Sequence, residues 1–376
     1  MASDSPPPRA ACAPRATLLL AAAVGLLSIA AASSLKSLLD QDDHTLRPQP
    51  GTKIPKAAFM VNVKWLERWA SDAWRESGLE RTDAAAAALA ATFSRSKKLT
   101  PDADLARFLE ASAATSASRR GRVLTRLKWA AFYALQLHLG WSRTDASGFL
   151  RLQTLYVASE EQFRALLEHA VLQAGLADAA AGAPARSLLD IGAGTGTETA
   201  KLAAALGVAP NAYGVTALES SWALRRALRA RGFRAAAALD ELRGAPPFTA
   251  AALLNVLDRC DEPLAVVDAA VAAVAPGGVL VLATVLPFSA KVFEGRIGGR
   301  NAARKPREPL EFAGGAWPAK APAFEQGAVA FLDALVHRHP QLELASWTRL
   351  PYVSSGGVIK THTYIDMALM AFRVKI

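Results

Sequence analysis

A strand, a glycine-rich loop and a helix follow one another within one short stretch of this 376-residue sequence. The apolar run 188–191 leads into Gly192, Gly194 and Gly196, and Thr197 then opens a helical pattern. In such a turn, backbone N–H groups at the start of the helix can approach a bound cofactor closely. A dinucleotide fingerprint requires glycine at its first, third and sixth positions, and the sixth position here is Thr197. The loop therefore indicates a cofactor site, but not a dinucleotide site.

From about residue 184 onward, short β-type runs alternate with amphipathic helical segments. This alternation is typical of a parallel sheet covered by helices. The expected fold is α/β: a doubly wound, Rossmann-like sheet of seven strands that ends in an antiparallel hairpin, with an N-terminal helical extension. Strands are expected at 187–191, 212–217, 234–238, 250–255, 278–285, 342–349 and 364–374, and helices at 197–206, 221–231, 263–275 and 323–337.

The glycine loop resembles the first motif of the seven-strand methyltransferases that depend on S-adenosyl-L-methionine. In that motif an acid precedes three alternating glycines, as Asp190 does here. The resemblance implies that S-adenosyl-L-methionine is the cofactor. It also implies that the binding loop consists of Asp190, Gly192, Ala193, Gly194 and Gly196.

Two acids farther along the chain fit the same cofactor. Glu219 follows the second expected strand, where an ionised carboxylate can accept both hydrogen bonds of a ribose diol. Asp240 follows the third expected strand and is a candidate for the adenine end. Two simpler interpretations stay open: Glu219 merely favours the dipole of the next helix, and Asp240 is an ordinary loop acid.

The fourth expected strand leads into a more specific motif. Residues 255–263 read Asn-Val-Leu-Asp-Arg-Cys-Asp-Glu-Pro, so the Asn255 amide and the Asp258 carboxylate lie three residues apart. The pattern Asn-x-Leu-Asp-Arg-Cys-Asp-x-Pro resembles the DREV-type methyltransferases, which are protein-histidine N-pros (N1) methyltransferases that act on His-x-His motifs. The resemblance covers roughly residues 130–376 and includes further blocks in the same order, at 142–144, 161–163, 285–288, 348–352 and 364–366.

The resemblance implies methyl transfer to an imidazole nitrogen of a protein substrate. A histidine side chain is mostly neutral at pH 7, so the site needs a fixed tautomer rather than a strong base. Asp258 is the candidate for holding that tautomer, and Asn255 for orienting the substrate or the amino-acid end of the cofactor. Arg259, Tyr352 and Tyr364 are candidates for binding the substrate, although Arg259 could instead pair with the acid two residues later.

The N-terminal segment 1–40 is interpreted as a targeting segment followed by the start of a linker. Its basic start, the apolar stretch at 16–32 and the small residues that follow are typical of a signal peptide. A membrane anchor and an organellar transit peptide are open alternatives. We therefore expect the endoplasmic reticulum or another organelle, with membrane association through this segment. An Ala-rich helical region at 41–183 and a methyltransferase domain at 184–376 complete the expected organisation.

Charge and cysteine content limit the remaining partners. Lys and Arg total 43 against 33 Asp and Glu, a formal net charge of +10, which favours acidic partners. No aromatic pattern of an RNA-binding protein accompanies the basic clusters, so nucleic acid is not expected and solvated helix faces are the simpler interpretation. Two cysteines exclude a disulfide framework and a cysteine-rich zinc site, and no metal is expected. The basic clusters lie at 119–128, 225–234 and 296–307.

Two other functions stay open at this stage. One is a methyltransferase with the same cofactor half that acts on a small molecule or a nucleic acid. The basic insertion at 289–322 favours that alternative, and the intact block at 255–263 disfavours it. The other is a non-catalytic scaffold, which would be indicated by loss of Asp190, the loop glycines or Asp258, all of which are present.

Overall fold

The computed structural model describes residues 102–173, 186–286, 324–356 and 362–375, together with positions 288, 290 and 292 and the stretch 305–308. The targeting segment expected at 1–40 lies outside these residues. The helical pattern up to residue 101 and most of the insertion at 289–322 also lie outside them.

Three helices open the described part of the chain: α1 (Ala103–Ala117), α2 (Arg119–Leu139) and α3 (Arg143–Leu150). Each begins at a capping side chain, because Asp102, Ser118 and Ser142 accept hydrogen bonds from backbone N–H groups of the first turn. Gly140 ends α2 in the left-handed conformation that favours glycine, with φ of 64°. Of the helices in the described ranges, none has the length and apolar character that a bilayer-spanning segment requires.

The described residues form an eight-stranded sheet. In chain order its strands are β1 (Thr154–Tyr156), β2 (Leu188–Ile191), β3 (Val215–Leu218), β4 (Arg234–Ala236), β5 (Phe248–Leu254), β6 (Val274–Val285), β7 (Leu342–Ser355) and β8 (His362–Val374). The spatial order is β1-β7-β8-β6-β5-β2-β3-β4. The strands from β4 to β6 in this order run parallel, whereas β8, β7 and β1 pair antiparallel. The expected α/β class and the closing antiparallel hairpin are confirmed.

The strand β1 was not expected, and it adds an eighth strand to the seven in the prediction. It lies within the region 41–183 that was interpreted as helical, and it pairs with the end of β7 through Thr154 and Ser355. Two of its three residues are exposed. A strand this short carries too little alternation to be recognised from sequence.

Five further α-helices lie in the described ranges: α4 (Glu160–Gln173), α5 (Thr197–Leu206), α6 (Trp222–Ala230), α7 (Pro263–Ala273) and α8 (Phe324–Arg338). The sheet is buried on both faces because successive side chains of its central strands point in opposite directions. In β6, Leu280 and Leu282 belong to one core cluster together with residues of α7 and α8. Val279 and Val281 belong to the other cluster, together with residues of α4, α5 and α6.

The strand order reverses between β2 and β5, which are parallel neighbours. In open α/β sheets, ligands bind beyond the carboxyl ends of the strands at such a switch point. The segments that follow β2, β3, β4 and β5 all leave from this one edge of the sheet. The fold therefore brings the expected cofactor residues to this one edge: the glycine loop, Glu219, Asp240 and Asn255.

Candidate active site

The glycine loop turns sharply between β2 and α5 through three left-handed residues. Gly192, Gly194 and Gly196 have φ of 76°, 57° and 76°. The N–H groups of Gly192 and Ala193 donate to the carbonyl of Leu218, at 2.8 and 3.1 Å. These bonds fasten the loop to the end of β3, while glycine avoids the steric cost that other residues have at positive φ.

The three glycines serve two different purposes. A Cβ at Gly192 would lie 2.5 Å from Val256, and one at Gly196 would lie 2.7 Å from Leu228, so both positions require glycine for packing. A Cβ at Gly194 would meet nothing within 4 Å. Gly194 therefore borders open space at the switch point, where the sequence predicts the cofactor.

We expect Gly194→Ala to weaken binding of S-adenosylmethionine by at least about tenfold, because the methyl group would enter the space next to the loop. Stability should fall by only about 1–2 kcal/mol, the cost of a left-handed alanine. Gly232→Ala is the matched control, since Gly232 also has positive φ and a Cβ there would meet its nearest atom, the Pro210 carbonyl oxygen, only at 3.7 Å, but it lies before β4 at the amino end of that strand. Calorimetry should show weaker cofactor binding for the first variant alone, and equal affinities would contradict this role for Gly194.

Asp190, the last acid before the glycines, is a buried carboxyl group that is only 1% exposed. Its Oδ2 accepts a hydrogen bond of 2.5 Å from the Thr199 hydroxyl. Its Oδ1 has no hydrogen-bond partner among the described residues. Burial raises the pKa of Asp190 to about 7, and the Thr199 hydrogen bond opposes this rise. The site thus holds a buried acceptor that lacks a donor.

Glu219 is fixed at the end of β3 by backbone donors on both of its oxygens. Oε2 accepts from the N–H of Gly194 at 3.0 Å, and Oε1 accepts from the N–H of Ser221 at 3.0 Å. Burial raises the pKa of this carboxyl, while the two backbone hydrogen bonds lower it. The contact with Gly194 places Glu219 at the glycine loop, as a cofactor-binding carboxylate requires.

Asp145 is a residue of this site that the sequence analysis did not identify. Its Oδ1 accepts from the Ser221 hydroxyl at 2.6 Å, and its Oδ2 accepts from the Ser142 hydroxyl at 2.7 Å. Helix α3 is thereby joined to the segment that holds Glu219. The sequence did contain a hint of Asp145, because the block at 142–144 directly before it matched the family pattern, although no role was assigned to that block.

Asp240 lies on a short 3₁₀ helix, Leu239–Leu242, after β4. Its side chain is exposed, and the neighbouring Glu241 accepts a hydrogen bond from the N–H of Ala237 at 3.0 Å. Asp240 is therefore on the correct edge of the sheet, and its contact with adenine stays a prediction.

Asn255 follows β5 in the left-handed conformation, with φ of 56°, which is uncommon outside glycine. Its N–H donates to the carbonyl of Ala283 at 2.9 Å, and its Nδ2 lies 3.1 Å from the Met367 sulfur. The side chain is buried, and its Oδ1 has no hydrogen-bond partner within the described ranges. A second buried acceptor therefore has no donor in the described part of the chain, directly after β5, the strand next to that of Asp190. Strained, unsatisfied polar residues of this kind cluster at functional sites.

Asp258 forms a two-fold contact with Arg259. The guanidinium Nε and Nη2 each lie 3.3 Å from a different carboxylate oxygen, and the Asp258 side chain keeps 15% of its surface exposed. The guanidinium carbon also lies 5.6 Å from the centre of the Tyr352 ring. The open alternative paired Arg259 with Asp261, but Asp261 forms its ion pair with Arg307 at 3.3 Å.

The two tyrosines expected at the substrate pocket are placed differently. Tyr352 is buried, and burial raises the pKa of its hydroxyl, while the nearby Arg259 lowers it. The Tyr352 side chain is therefore buried next to Asp258 and Arg259. The backbone of Tyr364 pairs with Val353 in the β7–β8 hairpin, and its side chain lies outside the described residues. Substrate contact stays a prediction for both residues.

The stretch 305–308 packs on the segment that follows Asp258. Glu308 accepts hydrogen bonds from the N–H groups of Leu264 and Ala265, at 3.0 and 3.1 Å. Helix α7 has no capping hydrogen bond from its own N-cap side chain, so Glu308 supplies one from the insertion. The described residues contain no cluster of His, Cys, Asp and Glu suited to a metal ion.

The chain matches the family described as DREV methyltransferase over residues 83–373. Among solved structures it is similar to the N-terminal domain of EvdMO1 with SAH bound, at 16% identity and a TM-score of 0.33, over 59% of this chain and 83% of that chain. It is also similar to the DhpI-SAM-HEP complex, at 16% identity and a TM-score of 0.30, over 68% and 99% of the two chains.

A third similar structure is a SAM-dependent methyltransferase from Thermotoga maritima, described as a possible histamine N-methyltransferase. It shares 14% identity with a TM-score of 0.29, over 57% of this chain and 92% of that chain. The family match decides the identity, because it spans far more than half of the sequence and includes the site residues from Asp190 to Tyr364. The chain belongs to the DREV methyltransferase family and is a methyltransferase that depends on S-adenosylmethionine.

Proposed function

We propose that this protein methylates the N-pros (N1) nitrogen of histidine in His-x-His motifs of protein substrates. The observation that carries the proposal is the Asp258 carboxylate. It lies three residues after Asn255 beyond the carboxyl end of β5, it is held by Arg259, and it is still partly exposed. A carboxylate so placed can accept a proton from one nitrogen of a substrate imidazole.

The residues at the switch point fit S-adenosylmethionine. Asp190 and Asn255 each offer a buried oxygen that has no donor among the residues the structure describes, and the cofactor carries an ammonium group that can donate hydrogen bonds. Gly194 leaves open space beside the loop, and Glu219 offers an ionisable carboxylate next to it. These four residues would hold the cofactor, which supplies an activated methyl group when it is bound.

The protein's own contribution is to position and orient the substrate histidine. In a neutral imidazole one nitrogen carries the proton and the other carries the lone pair that would take the methyl group. The imidazolium formed in this way would release its proton toward Asp258 and solvent. Asp258 would accept the hydrogen bond from the protonated nitrogen and so fix the tautomer, as carboxylates do beside catalytic histidines. Arg259 would hold the Asp258 carboxylate in place through its two contacts of 3.3 Å. The Tyr352 ring, whose centre lies 5.6 Å from the guanidinium carbon, would support Arg259 as a cation–π partner.

The test is an assay of the full chain with labelled S-adenosylmethionine and three acceptors. We expect label on a peptide that contains Ala-His-Ala-His and none on an Ala-Gln-Ala-Gln control or on RNA. Hydrolysis of the labelled peptide should release 1-methylhistidine rather than its N3 isomer. Label on RNA alone would refute the histidine proposal. Cofactor binding without label on any acceptor would instead favour a scaffold.

A further inference from the structure

The first half of α2 presents an apolar stripe to solvent. Val123 and Leu124 are 50% exposed and Leu127 is 59% exposed. Their spacing of one and four residues places them on one side of the helix. We call Val123, Leu124 and Leu127 the α2 stripe. Three large apolar side chains together are unusual on a solvated surface, and such patches mark interaction sites.

The other side of α2 is the side that packs against the protein. Gly121, Phe132 and Gln136 are buried, and the indole N–H of Trp129 donates to the carbonyl of Gly356 at 3.1 Å. The helix is therefore docked through these residues. The α2 stripe is not needed for docking and is left facing outward.

Basic residues border the α2 stripe, and the helix contains no acid in its 21 residues. Arg119, Arg120 and Arg126 are exposed and make no hydrogen bond or ion pair with the part of the chain that the structure describes. Arg122 differs from them because it donates to the carbonyls of Ser116 and Ala117 at the end of α1. The three unpaired arginines thus remain available for an external anion.

We infer that the α2 stripe and its three arginines form a surface that binds an anionic lipid membrane. Apolar side chains would enter the region below the headgroups, while the arginines would contact lipid phosphates. A nucleic acid would use the arginines but would leave the apolar side chains in water. A second copy of this chain would bring the same positive charges together. An anionic membrane would contact both the apolar side chains and the arginines. This inference does not depend on the substrate of the enzyme.

The experiment places an environment-sensitive NBD fluorophore on the full chain at Leu124→Cys, with Cys12 and Cys260 replaced by serine. Vesicles of phosphatidylcholine with about 30% phosphatidylserine should raise the emission at least about twofold, and phosphatidylcholine alone should not. The same label at Tyr213→Cys is the matched control, because Tyr213 is 96% exposed and lies outside α2. A label at 124 reports local insertion whether or not another segment also binds the vesicles.

Replacing Arg119, Arg120 and Arg126 by glutamine should raise the lipid concentration needed for half of this response by at least about tenfold. Leu127→Asp should abolish the response, and far-UV circular dichroism should show both variants folded, since these side chains are exposed. The inference is overturned by an equal response on neutral vesicles or an equal response at position 213. It is also overturned by a response of the label to RNA, or to protein concentration without lipid.

Discussion

Replacing Asp258 by asparagine is expected to lower kcat/KM for a His-x-His peptide by at least about 100-fold, within the range that removal of a proton-handling group produces. The Kd for S-adenosylmethionine should change by less than about threefold, because the substitution leaves the proposed cofactor-binding residues Asp190, Glu219 and Asn255 unchanged. An amide has nearly the same shape as the carboxylate. It can equally well present its N–H₂ group to the imidazole, and it would then favour the wrong tautomer.

Asp268→Asn is the matched control for this variant. Asp268 also pairs with an arginine through both oxygens, because Nε and Nη2 of Arg338 lie 2.7 and 2.5 Å from them. It lies on α7, away from the end of β5, so its loss should leave kcat/KM within about twofold. Steady-state rates with the Ala-His-Ala-His peptide and calorimetric Kd values provide the comparison. Parallel losses of activity and cofactor affinity in the Asp258 variant would show that this carboxylate only supports the fold.

The strand, glycine loop and helix of the expected cofactor site could be predicted from sequence because their determinants are local. The helix expected at 197–206 begins and ends at those residues, since Gly196 and Gly207 flank it in left-handed conformations. Asp190 and the three glycines lie within seven residues of one another. Strand, turn and helix fix their relative positions with little help from the rest of the chain.

Contacts between distant parts of the chain could not be predicted in the same way. Asp145 lies 76 residues from its partner Ser221, and Glu308 lies 44 residues from Leu264. A single sequence carries no signal for such a pairing. The strand β7 shows the same limit, because it was expected to end at 349 and continues through Pro351, which pairs with Asp366 on β8. Pairing with β8 extends β7 past this proline, although proline disfavours strand structure.

The surroundings of the residues expected at the substrate pocket were the least predictable part, because they depend on contacts between distant parts of the chain. Tyr352 was expected at the pocket from a family block, and the structure shows its ring buried with Arg259 near its face. Arg259 was open to two pairings, and only the folded loop distinguishes Asp258 from Asp261 as its partner. Sequence pattern located the block, whereas the folded loop after β5 brings Arg259 to both Asp258 and the Tyr352 ring.

Binding of S-adenosylmethionine is expected to weaken about tenfold between pH 8 and pH 6, because the pKa of Asp190 in the free protein is about 7. The cofactor carries positive charge, so it binds the ionised carboxylate in preference to the neutral acid. As the pH falls through 7, a growing fraction of the free protein must lose the Asp190 proton before it binds. Calorimetry across this range should give a Kd that is constant above about pH 8 and rises below it.

Asp190→Asn separates this effect from other titrations. Its Kd should be at least about tenfold higher at pH 8, through loss of a charge-assisted hydrogen bond, and should no longer rise steeply below pH 7.

The same substitution should increase the stability of the free protein at neutral and alkaline pH. A carboxyl whose pKa is raised on folding destabilises the protein increasingly from about pH 4 to pH 7, because the unfolded chain releases its proton first. The variant should therefore melt at a higher temperature than the natural protein at pH 8, without that advantage at pH 4.

Thr199→Val gives the more discriminating result, because it alters the pKa of Asp190 without removing the carboxyl group. The Thr199 hydroxyl donates to Oδ2 and thereby lowers this pKa, so its loss should move the rise in Kd to higher pH. Cofactor affinity well above that pH should stay close to that of the natural protein, since the ionised Asp190 remains in place. A Kd profile that does not move in Thr199→Val, or that keeps the same inflection in Asp190→Asn, would assign the pH dependence to another group. If the inflection moves upward in the first variant and disappears in the second, Asp190 is the titrating carboxyl. Its burial, which costs stability in the free protein, then gives the cofactor's positive charge a partner that water cannot screen.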